Sequence, residues 1–469
     1  VTDLVTRVAP AWLRRAAPAL LGYAAVRALG LLVLALWSAA RDKSAYTLLT
    51  ARWDSLWYTR VAELGYGYEV RLPNGDVHSN LAFFPLLPWL ERLLHAVTPL
   101  SYAAAGFVVA LLASLAAAWG IFAVADHVYG RRAGVCAVLL WAVLPVGIVQ
   151  SMAYSESLFT ALAAWSLYAV LTGRWLTAGS LALLAGLTRP VGLAVVAAVW
   201  AAGIAASPVP RQATCARQGA ASGAFSRCAG RKSPFWTYLG FRPVRREGVP
   251  GVATGRTSPV GALRERHRGT APFAHHRSAR PEPGARPAQH APCLPPLPPQ
   301  DGAPAWRCAV GMLLAPLGAA GYVLWVGHRT GRGPLGYLDV QAGWRNGFDG
   351  GYAFARFVAE KFTSFPSALA GLGLVVGVAL VIRLYVVCVR QRQPLPLLVY
   401  TGVVTALALC ASSYFGSKPR LLLPAFPLLF PLALALARPR TTASALVVGG
   451  VAVASAVYGA FWLNGSGPP

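Results

Sequence analysis

What most constrains this chain is its repeated apolar runs. Many approach 20 residues, about the length at which a helix crosses a bilayer. Only 12% of the residues are charged, where a soluble domain carries about a quarter. The expected fold class is therefore all-α, a polytopic integral membrane protein. Runs at 17–37, 102–124, 133–149, 157–171, 306–326, 366–387, 395–412, 421–436 and 444–463 each read as one crossing. The run 176–206 reads as two, broken at Thr188-Arg189-Pro190. Proline removes a backbone donor, and an arginine at mid-bilayer depth is costly. The expectation is about eleven transmembrane helices.

Basic residues orient them. Arg7, Arg14 and Arg15 precede the first run and place the N-terminus in the cytoplasm. No cleavable signal peptide is read there, because the run behind them is long enough to span. Arg131 and Arg132, Arg390 and Arg392, and Arg438 and Arg440 then fall inside, with about two-thirds of the 42 Lys and Arg. Ten of the 16 acids fall outside. The net charge of +26 follows from this asymmetry and from one basic segment, so nucleic acid is not an expected partner. The seven cysteines form no CxxC and no zinc spacing, and neither a structural disulfide nor a zinc site is expected.

The organisation is an N-terminal membrane module, 1–206, a segment 207–305, and a C-terminal membrane module, 306–469. The first module carries an outer loop at 40–99 and the last carries one at 328–361. Segment 207–305 is rich in Arg, Pro, Ala and Gly without apolar period, and reads as a disordered, basic cytoplasmic loop. Text of this kind is also what a GC-rich coding region yields when read out of frame. Resequencing decides between the two, and no function is assigned to the segment.

The loop 40–99 is the most informative stretch. It holds Asp54, Glu63, Glu69 and Asp76 in a chain of only 16 acids. Stretches 55–64 and 84–97 read as short helices along the interface, with Trp53, Trp57, Tyr58 and Trp89 as aromatic anchors. Asp54 has two readings. It is a helix N-cap, or it is a carboxylate that takes a proton from an attacking hydroxyl. Glu156 ends a span on the outer side, where an ionisable group is either a cap or part of a polar site. Arg189 either pairs with Glu156 or holds a phosphate through its fork of donors. Lys418 and Arg420 sit before an outer span end, where cations meet headgroups or clamp a lipid phosphate. There is no DxD motif, no Walker loop and no GxGxxG after a strand. No cofactor is called for, and a divalent metal stays open.

Three stretches resemble one family. RWDSLWYTRVAELGYGYE followed by NLAFFPLLPWL resembles the first outer loop of the GPI mannosyltransferase II (PIG-V) family. The match runs through Trp53, Asp54, Ala62, Gly65, Tyr66, Glu69, Ala82, Phe83, Phe84, Pro85 and Pro88. Residues 152–159 and 185–192 resemble that family's outer-turn motif and its T-R-x-x-G segment, in the same order and at fitting spacing. The resemblance covers most of 45–205 and, more loosely, 306–463. Two departures stand out: Trp57-Tyr58 where the family often has His-Phe, and an insert at 70–79.

The resemblance implies a glycosyltransferase C-type fold, in a bacterial, actinobacterial-looking member. It implies an inverting mannosyltransferase using polyprenyl-phosphate-mannose, with a lipid, glycan or protein acceptor. It places the enzyme in the plasma membrane with its site on the extracytoplasmic side. Asp54 is then the catalytic base or orienter. Trp53, Glu69, Glu156, Arg189, Lys418 and Arg420 are the expected substrate-binding residues, and Trp344 and Arg345 of the second outer loop join them as sugar contacts. The insert is expected to tune the acceptor. The alternative is a lipid-linked-sugar flippase or polytopic transporter, which needs mid-membrane charge and internal repeat symmetry.

Overall fold

The computed structural model describes residues 11–206, 304–412 and 414–465. Almost all of the basic segment, and with it the expected disordered loop, lies outside the described residues. Those described are mostly helical. The helices of the first module are α1 (Ala11–Ala39), α2 (Ala45–Thr50), α3 (Asp54–Leu64), α4 (Leu86–Val97), α5 (Tyr102–Tyr129), α6 (Arg131–Ala142), α7 (Ser155–Leu171), α8 (Trp175–Gly186) and α9 (Leu193–Ala206). In the second they are α10 (Ala305–Leu314), α11 (Leu317–Thr330), α12 (Gly336–Gly343), α13 (Tyr352–Lys361), α14 (Ser367–Arg390), α15 (Leu395–Cys410), α16 (Lys418–Leu421), α17 (Phe430–Leu436) and α18 (Thr441–Leu463).

Five stretches among the described residues are long and apolar enough to cross a bilayer: Leu13–Ala39, α5, Ala305–Thr330 (α10 and α11 across Pro316), α14 and α18. A sixth counts if the pair Phe415–Leu421 and Phe426–Leu436, bent by 76°, is one broken span. The apolar helices α7, α8 and α15 are shorter, as is 190–206. The break expected near Arg189 is present: α8 stops at Gly186 and a 3-10 turn, Pro190–Gly192, precedes α9. The run 133–149 differs from expectation. Its helix α6 stops at Ala142, Pro145 follows, and the chain continues as a 3-10 helix, Gly147–Ser151. The loosened carbonyls of Ala142 and Gly147 both accept from the guanidinium of Arg27, buried in the middle of α1. Backbone polar groups at membrane depth must be satisfied within the protein. Arg27 meets that demand, which explains a charge inside the first span.

The two modules meet along a seam of small residues. Gly179 and Gly186 of α8 face Gly311 and Ala319 of α10 and α11, and Gly318 faces the Leu183 carbonyl. A Cβ on Gly318 would lie 1.9 Å from that oxygen, and one on Gly311 would lie 2.4 Å from the Trp175 carbonyl. Small residues allow such backbone approach, which drives helix association in lipid.

The insert at 70–79 folds as a hairpin. Its strands, β1 (Glu69–Arg71) and β2 (Val77–Ser79), pair antiparallel with Glu69 opposite Ser79. Pro73 and Asn74 form the turn, closed by the Gly75 amide donating to the Leu72 carbonyl at 3.0 Å, with Gly75 at φ 88°. A second ribbon pairs β3 (Gly347–Phe348) with β4 (Ala411–Ser412), tying the second outer loop to the end of α15.

Candidate active site

Asp54 opens α3, and the turn before it is strained. Trp53 occupies the N-cap position with φ 49° and ψ −121°. Such a conformation costs a non-glycine residue of order 1–3 kcal/mol. Arg52 holds it: its guanidinium lies 3.8 Å from the Trp53 ring centroid, and it donates to the carbonyl of Leu463 at 2.9 Å. Ser55 closes the turn, with Oγ donating to the Arg52 carbonyl at 2.6 Å. Asp54 is thus the first residue of the helix and does not act as its cap. Its carboxylate is placed where the helix N-terminus favours negative charge.

The Asp54 carboxylate instead meets Arg420, with Oδ2 2.7 Å from Nη2. Arg420 continues to Glu156, its Nε 3.1 Å from Oε1, and the same oxygen lies 2.6 Å from Nη1 of Arg189. Four charges from four distant stretches form one chain, Asp54–Arg420–Glu156–Arg189, with no net charge. Each is delivered by a break. Glu156 is the second residue of α7, where the chain turns in from the 3-10 helix. Arg189 is extended between α8 and α9, as the following proline demands. Arg420 lies on the single turn α16, inside the bent pair. The Arg420 guanidinium also sits 5.0 Å from the Tyr154 ring centroid.

Burial divides the two acids. The Glu156 side chain is 1% exposed and that of Asp54 is 30% exposed. Glu156 fixes the two guanidiniums at one spacing, whereas the Asp54 carboxylate stays partly open to solvent. Tyr58, one turn after Asp54, is buried, and its hydroxyl lies 2.7 Å from Ser155 Oγ. It locks α3 onto the start of α7 and is not an interfacial anchor. Burial pushes its phenol above the usual tyrosine range.

The other expected residues lie apart from the quartet. Lys418 turns its ammonium onto the carboxyl end of α15, donating to the carbonyls of Ala408 at 2.9 Å and Ala411 at 2.7 Å. It caps that helix. Glu69 is exposed on the hairpin edge. Trp344 packs edge-on to Trp57 at 4.9 Å and stacks on His78 at 4.0 Å, while its Nε1 donates to the Ser79 carbonyl at 3.0 Å. Arg345 pairs with Asp76 at 2.6 Å. The insert hairpin is therefore pinned to the second outer loop, and the pair Trp57–Trp344 joins both to the helix that starts at Asp54. Among the described residues, no three His, Cys, Asp or Glu side chains converge as a metal site.

Sequence reasoning missed Glu91, which is fully buried on α4 and packs against Gly106 of α5. The signal was present. Leu87 and Glu91 are four apart on a helix, so they share a face, and Leu87 is also buried. No protein-family model matches the chain, and neither a curated protein nor a solved structure matches it.

Proposed function

We propose that this protein is an integral membrane mannosyltransferase of the PIG-V-like type. It moves mannose from a polyprenyl-phosphate carrier to an acceptor at the extracytoplasmic face of the plasma membrane, with inversion. The observation that carries this reading is the Asp54–Arg420–Glu156–Arg189 chain of ion pairs. It joins the three stretches that bear the resemblance, and a residue near the end of the chain completes it. A glycosyltransferase C-type arrangement with eleven crossings belongs to the same proposal; beyond the five long spans it takes the four short apolar helices, the bent pair and the run 133–149, in which α6 stops early, as crossings.

The ion-pair geometry supports the following chemistry. Asp54, the accessible carboxylate, takes the proton of the acceptor hydroxyl as its oxygen attacks the anomeric carbon. The bond from that carbon to the phosphate oxygen breaks on the opposite face, and its electron pair leaves with the phosphate. Arg189 and Arg420 stabilise the charge that develops there, pre-aimed by Glu156 so that little reorganisation is needed.

The test is transfer from radiolabelled polyprenyl-phosphate-mannose into membrane lipids and glycans. Asp54→Asn is expected to lower transfer by about 10²–10⁴-fold while inserting normally. Undiminished transfer by that variant removes Asp54 from the mechanism. Tight binding of the labelled lipid without transfer by the wild type favours the flippase reading.

A further inference from the structure

Positive charge gathers at the end of the bundle remote from the quartet. Arg14 and Arg15 lie near the start of α1, Arg131 and Arg132 open α6 just after α5, and Arg438 and Arg440 lie in the turn between α17 and α18. All six are exposed. The opposite ends of α1 and α18 meet beside the outer loop, where Lys43 donates to the Asn464 carbonyl at 2.8 Å. Among the described residues of the three basic stretches, the one acid is Asp126 at the end of α5. Arg15 occupies both of its oxygens, with Nη2 2.7 Å from Oδ1.

Hydrogen bonds draw these stretches into one junction. Arg131 donates through Nε to the Arg15 carbonyl at 3.2 Å and through Nη2 to the Arg14 carbonyl at 3.5 Å. Its neighbour Arg132 reaches a different partner and donates to the Pro439 carbonyl, between Arg438 and Arg440. Two basic clusters therefore adjoin at the α5–α6 turn. One is Arg131 with Arg14, and the other is Arg132 with Arg438 and Arg440. The helices α6 and α18 both begin here without a side-chain cap, and their amide ends add to the positive potential. Holding like charges together in this way is unfavourable unless an anion joins them, and Asp126 is already taken by Arg15.

We propose that this junction binds an anionic phospholipid whose head carries two phosphates, one for each cluster. α1, α5 and α18 are long and apolar enough to cross a bilayer, so their shared end lies at a bilayer surface and acyl chains can run down their flanks. The guanidinium fork matches phosphate geometry, and basic pockets between membrane helices suit such heads. A lipid seated there ties the start of α1 to the α17–α18 turn through the Arg131–Arg132 pair. The site is independent of the transferase reading.

The experiment is native mass spectrometry and thermal unfolding of the full chain in detergent, with cardiolipin, phosphatidylglycerol or phosphatidylcholine added at equal phosphate. Cardiolipin is expected to stay bound and to raise the melting temperature, phosphatidylglycerol to do so less, and phosphatidylcholine not at all. The double variant Arg438→Gln with Arg440→Gln alters exposed side chains and is expected to weaken cardiolipin binding about thirtyfold. Arg131→Gln with Arg132→Gln is expected to do the same, its melting temperature without lipid showing whether the fold survives. Arg390→Gln with Arg392→Gln removes the same charge from the turn between α14 and α15 and is expected to change nothing. Equal binding of phosphatidylglycerol and cardiolipin, or an equal loss in the Arg390/Arg392 variant, reduces the junction to general surface charge and overturns the site. Inorganic pyrophosphate forms the last arm. It is expected not to displace cardiolipin at millimolar concentration, and displacement would overturn the lipid assignment in favour of a soluble diphosphate.

Discussion

Glu156 and Glu91 are buried alike, 1% and 0% exposed, and sit in opposite surroundings. Glu156 receives guanidiniums from two separate breaks in the helical pattern. Glu91 lies on a continuous amphipathic helix, and neither of its oxygens has a hydrogen-bond partner among the described residues. Its Oε1 fills the space above Gly106, where a Cβ would lie 2.4 Å away. Burial disfavours the charged form and pushes the Glu91 carboxyl well above the usual carboxylate range. Broken helices expose backbone and admit paired charge, whereas the intact α4 buries its acid with no hydrogen-bond partner. The candidate site is therefore built where the helices fail.

Removing the paired acid gives the largest effect. Glu156→Leu strands Arg189 and takes one of two partners from Arg420, and it is expected to cost about 3–5 kcal/mol. Denaturation in detergent measures this, and a change below 1 kcal/mol would mean that the quartet is not a unit. Glu91→Gln is expected to act in the other direction, and only with pH. A carboxyl raised in the folded state contributes stability that is fully present below about pH 4.3 and is lost as pH rises through the folded value. The wild type should thus melt at falling temperature as pH rises from 4 to 8. The Gln variant should flatten that slope and melt at a higher temperature than the wild type at pH 8. Parallel slopes in the two proteins would show Glu91 to be ionised or solvated. Asp54→Asn is expected to shift stability by less than about 1 kcal/mol, because its pair with Arg420 is partly open to solvent. Smallest is Asp76→Asn. Its partner Arg345 is 69% exposed, so the melting temperature should hardly move, about 0–1 kcal/mol. A larger loss there would make the hairpin clamp a structural keystone.

Much of this was legible in the sequence. The polar loop, its two short helices and the break at Arg189 follow from apolar period and proline chemistry. Asp54, Glu156 and Arg189 stand out because acids and mid-run arginines are rare in such a chain. What the sequence withheld is direction. Lys418 and Arg420 are two residues apart, and nothing local tells which turns to a helix end and which to Glu156. Trp57 and Tyr58 read alike as interfacial aromatics, yet only Tyr58 is sealed against Ser155. The insert hides its strands because a hairpin this short has no apolar alternation, and its register is set by contacts with Trp344 and Arg345 instead. Arg27 was invisible as a ligand of carbonyls, because its partners exist only once α6 has stopped early.

The seam of glycines between α8 and α10–α11 has a consequence for how such a chain evolves. The stretches it joins are separated by the whole span 207–303, yet their union is made by backbone against backbone. The halves behave as interlocking pieces whose fit does not consult the text between them. A single methyl group at Gly318 would jam the lock.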